Sequence, residues 1–301
     1  NGGVITSSGG NTIHTFTATG ALTPMSATIG NSLRLRASAS AYLSRTPDNT
    51  TNQKTYTLSF WVKRGQLGAY QDIMDAYVSA NNIELVRFYN DDTFELELYN
   101  GSFVYQLKTT QVFRDPSAWY HIVVAWDTTQ ATAANRIKVY VNGSQVTAFS
   151  TATYPSQNTN LYMNNAIAHS IGVNLNNGNN SYLDGYLSDF YFIDGQALEP
   201  YYFANNDANG VWKPIPYYGT YGTYGTNGFY LKFSSIATTS GSNAGLGKDF
   251  SGNGNFWNTN NISVTSGVTY DAMIDSPTMG ASGTQPVGNY AVMNPLWKDG
   301  T

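Results

Sequence analysis

The chain is expected to be all-β, an antiparallel β-sandwich with a short N-terminal hairpin and a β-rich C-terminal extension. Three observations predict it. Apolar and polar residues alternate in strand-length segments, the period of a half-buried strand. Turn signals separate those segments at intervals of about 8–12 residues, the spacing of sandwiches and barrels. The composition is rich in sheet formers: there are 23 Tyr and 29 Gly, and only 11% of residues are charged.

Val4-Ile5-Thr6, then Ser7-Ser8-Gly9-Gly10, then Thr12 to Thr17 reads as a short hairpin with too few large apolar residues to hold a core of its own. Leu33-Arg34-Leu35-Arg36 and Tyr42-Leu43 are strand-like. Tyr56, Leu58, Phe60 and Val62 alternate with Thr57, Ser59, Trp61 and Lys63 and form a core strand. Ile73 to Tyr77, Ile83 to Tyr89 and Phe94 to Tyr99 follow, the last two separated by the turn composition Asn90-Asp91-Asp92-Thr93. Asn100-Gly101 is a candidate type I′ turn opening into Phe103 to Leu107.

The most informative stretch is Trp119 to Asp127. Tyr120, Ile122, Val124 and Trp126 alternate with Trp119, His121, Val123 and Ala125, so the strand is apolar on both faces and must be covered on both. Ile137, Val139 and Val141 form one face of the next strand, which ends in Asn142-Gly143, a second type I′ signal. Ala166 to Val173 and Tyr182 to Ile193 supply the remaining strands. One helical turn is expected near Glu199-Pro200-Tyr201-Tyr202-Phe203, with proline at its first position. Phe229 to Phe233 reads as a further strand.

This organisation divides the chain into 1–28, a hairpin or connector; 29–212, the main sandwich; and 213–301, a Gly/Tyr-rich β extension, either adding strands to the first sandwich or leading into a further domain. Pro214 and Pro216 mark the shift in character. The chain opens on Asn1 rather than Met, which suggests a piece of a longer or processed polypeptide.

Cysteine is absent, which excludes thiol catalysis, cysteine zinc sites and disulfide staples. The formal net charge is −4 and no lysine/arginine cluster exists, so binding to a nucleic-acid backbone is not expected. No apolar run reaches membrane-spanning length, so no membrane insertion is expected.

Trp61-Val62-Lys63, Trp119-Tyr120-His121-Ile122-Val123, Lys138-Val139-Tyr140-Val141-Asn142-Gly143 and Leu183-Asp184-Gly185-Tyr186-Leu187-Ser188-Asp189-Phe190-Tyr191 together resemble the laminin-G-like/concanavalin-A-like jelly roll. The resemblance runs from about Ser32 to Leu198 in order and spacing. Its wording is most similar to jelly rolls of bacteriophage tail fibres and virion surface proteins. The Asp249-Phe250-Ser251-Gly252-Asn253-Gly254 loop resembles one common near the start of such domains, displaced here to the C-terminal side with Phe250 in place of Ser. The resemblance implies a non-catalytic module on the virion surface, outside the cell. Its implied partners are a host cell-surface glycan or neighbouring virion subunits, as a homo-oligomer with a trimer favoured. Alternatives are a glycan-degrading enzyme of the same fold and a purely architectural fibre or capsid-decoration protein.

Each chemical candidate has a plainer reading beside it. Glu95 and Glu97 lie two apart on one strand face, and a retaining glycosidase needs two carboxyls about 5–5.5 Å apart. The related glucanases use a Glu-x-Asp-x-x-Glu run, and this chain lacks the third acid; the simpler reading is a solvated strand face opposite Leu96 and Leu98. No histidine pair has metal-ligand spacing and no Gly-x-Ser-x-Gly elbow occurs. Calcium, implied by the resemblance, needs oxygen ligands; Asp189 and Asp249 are the candidates, against ordinary turn capping. Sugar binding would use ring faces with amide groups fixing hydroxyls. Tyr70, Tyr77, Tyr154, Tyr162 and Tyr182, with Asn176 and Asn179, are the candidates, against a role of tyrosine as sheet filling.

Overall fold

A computed structural model of the chain describes residues 29–176, 181–217 and 223–278, together with the strands at 4–8 and 11–15. The strands in chain order are β1 (Val4–Ser8), β2 (Asn11–Thr15), β3 (Ser32–Leu35), β4 (Tyr42–Arg45), β5 (Thr55–Arg64), β6 (Gln71–Ser79), β7 (Asn82–Phe88), β8 (Thr93–Asn100), β9 (Phe103–Val112) and β10 (Tyr120–Asp127). They continue as β11 (Ile137–Val141), β12 (Ser144–Gln145), β13 (Phe149–Thr153), β14 (Ala168–Ile171), β15 (Gly185–Asp194), β16 (Ala204–Asn206), β17 (Trp212–Pro214), β18 (Phe229–Leu231), β19 (Asn258–Asn260) and β20 (Ala272–Met273).

Two antiparallel layers stack into a sandwich. The first layer has the order β12-β11-β10-β5-β15-β3-β20, with β18 also paired to β15. The second has the order β13-β9-β8-β7-β6-β14-β4-β19. The alternation read from the sequence sets which side chains meet between them. Tyr56, Leu58, Phe60, Ile122, Val124 and Trp126 from the first layer pack on Val86, Phe88, Leu96, Leu98 and Leu107 from the second. One carboxylate enters this core: Glu84 accepts hydrogen bonds from the hydroxyls of Tyr56 and Tyr105 and from the backbone N–H groups of Tyr162 and Met163, at 2.7 to 2.9 Å. Burial raises its pKa, and those four donors pull the other way.

The turns follow their residues. Asn142 and Gly143 both have positive φ, as a type I′ connection between β11 and β12 requires. Asn100-Gly101 differs from the expectation. Only Gly101 takes positive φ there, and Tyr99 pairs with Phe103 across a three-residue connection. The expected helical turn is the 3₁₀ turn Pro200–Tyr202. The sequence reading passed over β13, whose Ser and Thr carry almost no apolar signal.

The strand Tyr120–Asp127 is covered on both sides, and the second cover comes from outside the sandwich. Val123, Tyr140, Tyr191 and Ile193 point away from the core and pack under Leu198 and Phe203, with Tyr202, Tyr217, Tyr224 and Tyr230 around them. The segment after β15 therefore lies over the outer face of the first layer. It also stitches the layers at their margins: β18 joins β15, β19 joins β4 and β20 joins β3.

Candidate functional site

The outer faces of the two layers differ. That of the first layer is closed by the tyrosine cover. His121 sits there between Trp61, stacked at 4.7 Å, and Trp212, whose indole N–H donates to Nδ1 at 3.1 Å. Its Nε2 lies 2.9 Å from the Ser59 hydroxyl. Since Nδ1 accepts, Nε2 carries the proton and donates to Ser59. Burial pushes its pKa down to about 3, so it is a neutral packing residue.

The outer face of the second layer carries the chemistry. Register aligns its side chains in rows across the strands: Asp72, Arg87, Glu95 and Lys108 in one, and Asp75, Glu97 and Gln106 in the next, with the apolar Leu85 between Asp75 and Glu97. Arg87 is the hub. Its Nε donates to Glu95 Oε2 at 2.8 Å and its terminal nitrogen to Glu97 Oε2 at 3.1 Å. Gln106 donates to the other oxygen of Glu95 at 2.9 Å. Lys108 pairs with Asp91 at 2.7 Å and lies 3.7 Å from the ring centre of Tyr89. Tyr70 meets Tyr89 edge to face at 4.6 Å, and the Arg87 guanidinium lies 5.3 Å from both rings. At the opposite end Tyr99 meets Phe103 edge to face, beside Tyr77 and Ile83.

This face is unusually rich in buried acid. Asp72 is fully buried, and neither of its oxygens makes a hydrogen bond of ordinary geometry among the described residues, although Ser181 lies close enough to ease its ionisation. Burial raises its carboxyl well above the usual range, against the pull of Arg87. Burial likewise pushes Glu97 up to about 7 and Asp75 up to about 7. Asp75 is fully bonded: it accepts from the Ser170 N–H and hydroxyl and from the Leu175 N–H. The bond from Leu175 holds the start of the connection after β14 beside β6.

The expectation of a solvated face at Glu95 and Glu97 is corrected: they are 1% and 7% exposed, because Arg87 and Gln106 close over them. Of the tyrosines singled out in the sequence, Tyr70 and Tyr77 lie on this face. Tyr182 meets Tyr42 at a tilt, ring centres 6.3 Å apart, beside β4, and Asn176 donates to the carbonyl of Ala80 in the β6–β7 turn. Tyr154 and Tyr162 do not join them; both pack against the core, and the Tyr162 hydroxyl donates to Asn82. Asn179 lies outside the described residues.

Asp189 and Asp249 are placed by Tyr230. Asp189 sits in a bulge of β15 with φ of 43°, is buried, and accepts the Tyr230 hydroxyl at 2.6 Å. Asp249 organises its loop, accepting from the N–H groups of Tyr230, Ser251 and Asn255 and from the Ser251 hydroxyl. Asp189 Oδ1 and both oxygens of Asp249 already accept hydrogen bonds, whereas a hard cation wants six or more oxygen ligands. Among the described residues no three histidine, aspartate or glutamate side chains converge as metal ligands.

Sequence reasoning missed Asp72, Arg87, Tyr89, Tyr99, Gln106 and Lys108. The available signal was the i, i+2 alternation of Arg87 with Tyr89, Glu95 with Glu97 and Tyr99, and Gln106 with Lys108 on three neighbouring strands.

No curated protein sequence matches the chain. Its fold is similar to a heptameric SAP-like pentraxin of Limulus polyphemus, at 18% identity and TM-score 0.41 over 56% of this chain and 78% of that one. It is also similar to a Bacteroides ovatus protein proposed to bind carbohydrate, at 14% identity and TM-score 0.47 over 79% of this chain and 59% of that one. A third likeness is the CBM40 of a Ruminococcus gnavus sialidase solved with α2,3-sialyllactose, at 16% identity and TM-score 0.32 over 44% and 72%. At these identities the likenesses concern the fold. The family described as the concanavalin A-like lectin/glucanases superfamily matches residues 37–200, more than half of the chain, and the protein belongs to that superfamily.

Proposed function

We propose that the protein is a glycan-binding module and that the outer face of the second layer is its binding surface. One observation carries this reading. Carboxylates, an amide and a guanidinium are fixed in register on a sheet face bounded at both ends by tyrosine rings. Sugar recognition uses that combination, with ring faces taking the apolar side of a pyranose and oriented polar groups its hydroxyls. Membership of a lectin and glucanase superfamily supports it. The test is binding of the chain to an array of diverse glycans, repeated with Tyr70→Ala and Tyr99→Ala. A specific hit that both substitutions weaken supports the reading; a hit that both leave unchanged removes this face as the site.

A glycan-degrading reading has one observation in its favour: Glu97, with a pKa near 7, stands beside Glu95, as a general acid stands beside a nucleophile. Arg87 bonds an oxygen of each, which makes them partners in an ion pair rather than two reacting groups. Turnover of a polysaccharide that disappears in Glu95→Gln and Glu97→Gln would establish the enzyme instead. Placement on a virion surface, outside the cell and as a trimer binding host glycan or neighbouring subunits, rests on the resemblance to phage tail-fibre jelly rolls. Light scattering of the purified chain and labelling of intact particles test it.

A further inference from the structure

Resting on the glycan reading, the geometry of the polar face points to a class of sugar. Three carboxyls, Asp72, Glu95 and Glu97, gather around the guanidinium of Arg87. Lys108 does not relieve the imbalance, because Asp91 holds it. Asp72 is buried beside them, its carboxyl eased only in part by Arg87 and Ser181. Glu97 uses one oxygen on Arg87, and among the described residues the other accepts nothing. Gln106 lies opposite Glu97 across β8 and β9, and Tyr99 is two residues along the same face. The tyrosines here already hold cations, since Arg87 and Lys108 lie over Tyr70 and Tyr89. Carboxylate plus aromatic face is the chemistry that recognises an ammonium group. An anionic sugar would meet the carboxyls of Glu95 and Glu97 with both nearby cations already engaged.

We propose that the ligand of this face is an amino sugar, its protonated amine taken by the free oxygen of Glu97 against the flanking tyrosine rings. The groups that set the charge of Glu97 are Arg87 from β7, Glu95 beside it on β8, Asp72 from β6 and the Tyr105 hydroxyl from β9. Pairing with an ammonium stabilises the ionised form, so the proton that Glu97 gives up is taken by an uncharged amine or released to solvent.

Calorimetric titration of the full chain with three hexamers tests this: β-1,4-linked glucosamine, its fully N-acetylated counterpart and a hexuronate. At pH about 7 the free amine is expected to bind about tenfold or more tighter than the N-acetyl form, and the uronate weakest. The preference shrinks at pH about 5.5, where Glu97 is protonated. Glu97→Gln should bring amine and N-acetyl forms within about twofold while retaining the latter. If that variant does not fold, the pH comparison on the unaltered chain decides. Equal affinity for the first two hexamers, or tightest binding of the uronate, overturns the proposal and leaves the glycan reading standing. Silence with all three and across a diverse array removes both.

Discussion

The sandwich has two outer surfaces, and they have met opposite fates. On the first layer, Trp61, His121, Val123, Tyr140 and Tyr191 lie beneath a cover made by the chain itself. On the second, among the described residues, Asp72, Arg87, Glu95 and Glu97 bond or lie against one another and their tyrosine rim, with Ser181 beside Asp72. Apolar side chains pointing outward recruited a cover, because leaving them in water costs roughly 25 cal/mol for each Å². Charged side chains pointing outward satisfied each other and left their rims accessible. The difference teaches where to look for function in this sandwich: on the layer whose outer residues pair among themselves.

The comparison can be broken first at the cover. Phe203 is 1% exposed and stacks on Tyr217 at 5.3 Å. Phe203→Ala should cost about 3–5 kcal/mol of stability in denaturant unfolding, with glycan binding by surviving folded protein unchanged. A loss under about 1 kcal/mol would mean the cover is ornamental. The next largest effect lies on the polar face. Arg87→Leu strands Glu95 and Glu97 and should cost about 3 kcal/mol at neutral pH. The cost should shrink on acidification, as Glu97 takes up a proton below its pKa of about 7.

A finer contrast is one of sign. His121 has a folded pKa of about 3, below its ordinary value, so its contribution to stability is present above about 6.5 and is lost as pH falls toward 3. Asp75 and Glu97 have folded pKa values of about 7, above the ordinary range. Their contribution is present below about 4 and is lost as pH rises toward 7. Unfolding free energy measured against pH should therefore change slope in opposite senses for variants on the two faces. His121→Phe should flatten the acid limb and Asp75→Asn the limb between pH about 4 and 7. If both substitutions flatten the same limb, the electrostatic contrast between the faces is wrong. The smallest expected effect belongs to the rim: Tyr70→Ala should change stability by no more than about 0.5 kcal/mol, because the ring is 37% exposed.

The layers were legible where a strand had one apolar face, because period-two alternation is a direct image of burial. Thr55–Arg64, Thr93–Asn100 and Tyr120–Asp127 all fall within a residue or two of their expected bounds. The two-sided apolarity of the last correctly demanded a second cover, but not its source, since the covering residues lie some seventy or more positions later. The site was half legible. Tyr70 and Tyr77 were found because tyrosine is a plausible sugar platform anywhere. Asp72 and Arg87 were not, because a lone Asp or Arg on a strand carries no signal until register sets it beside Glu95. Glu95 and Glu97 were seen and taken as solvated, because strand alternation shows which face a residue occupies and not what closes over it.

The chain enters and leaves the body at one place. Ile29 precedes β3, its carbonyl accepts the hydroxyls of Ser276 and Thr278, and β20 runs back along β3. Residues 29 and 278 therefore lie side by side at one margin of the sandwich. Traction on the two strands leaving this seam would peel their hydrogen bonds singly and strip away β20 first, before load reached the β6–β9 face.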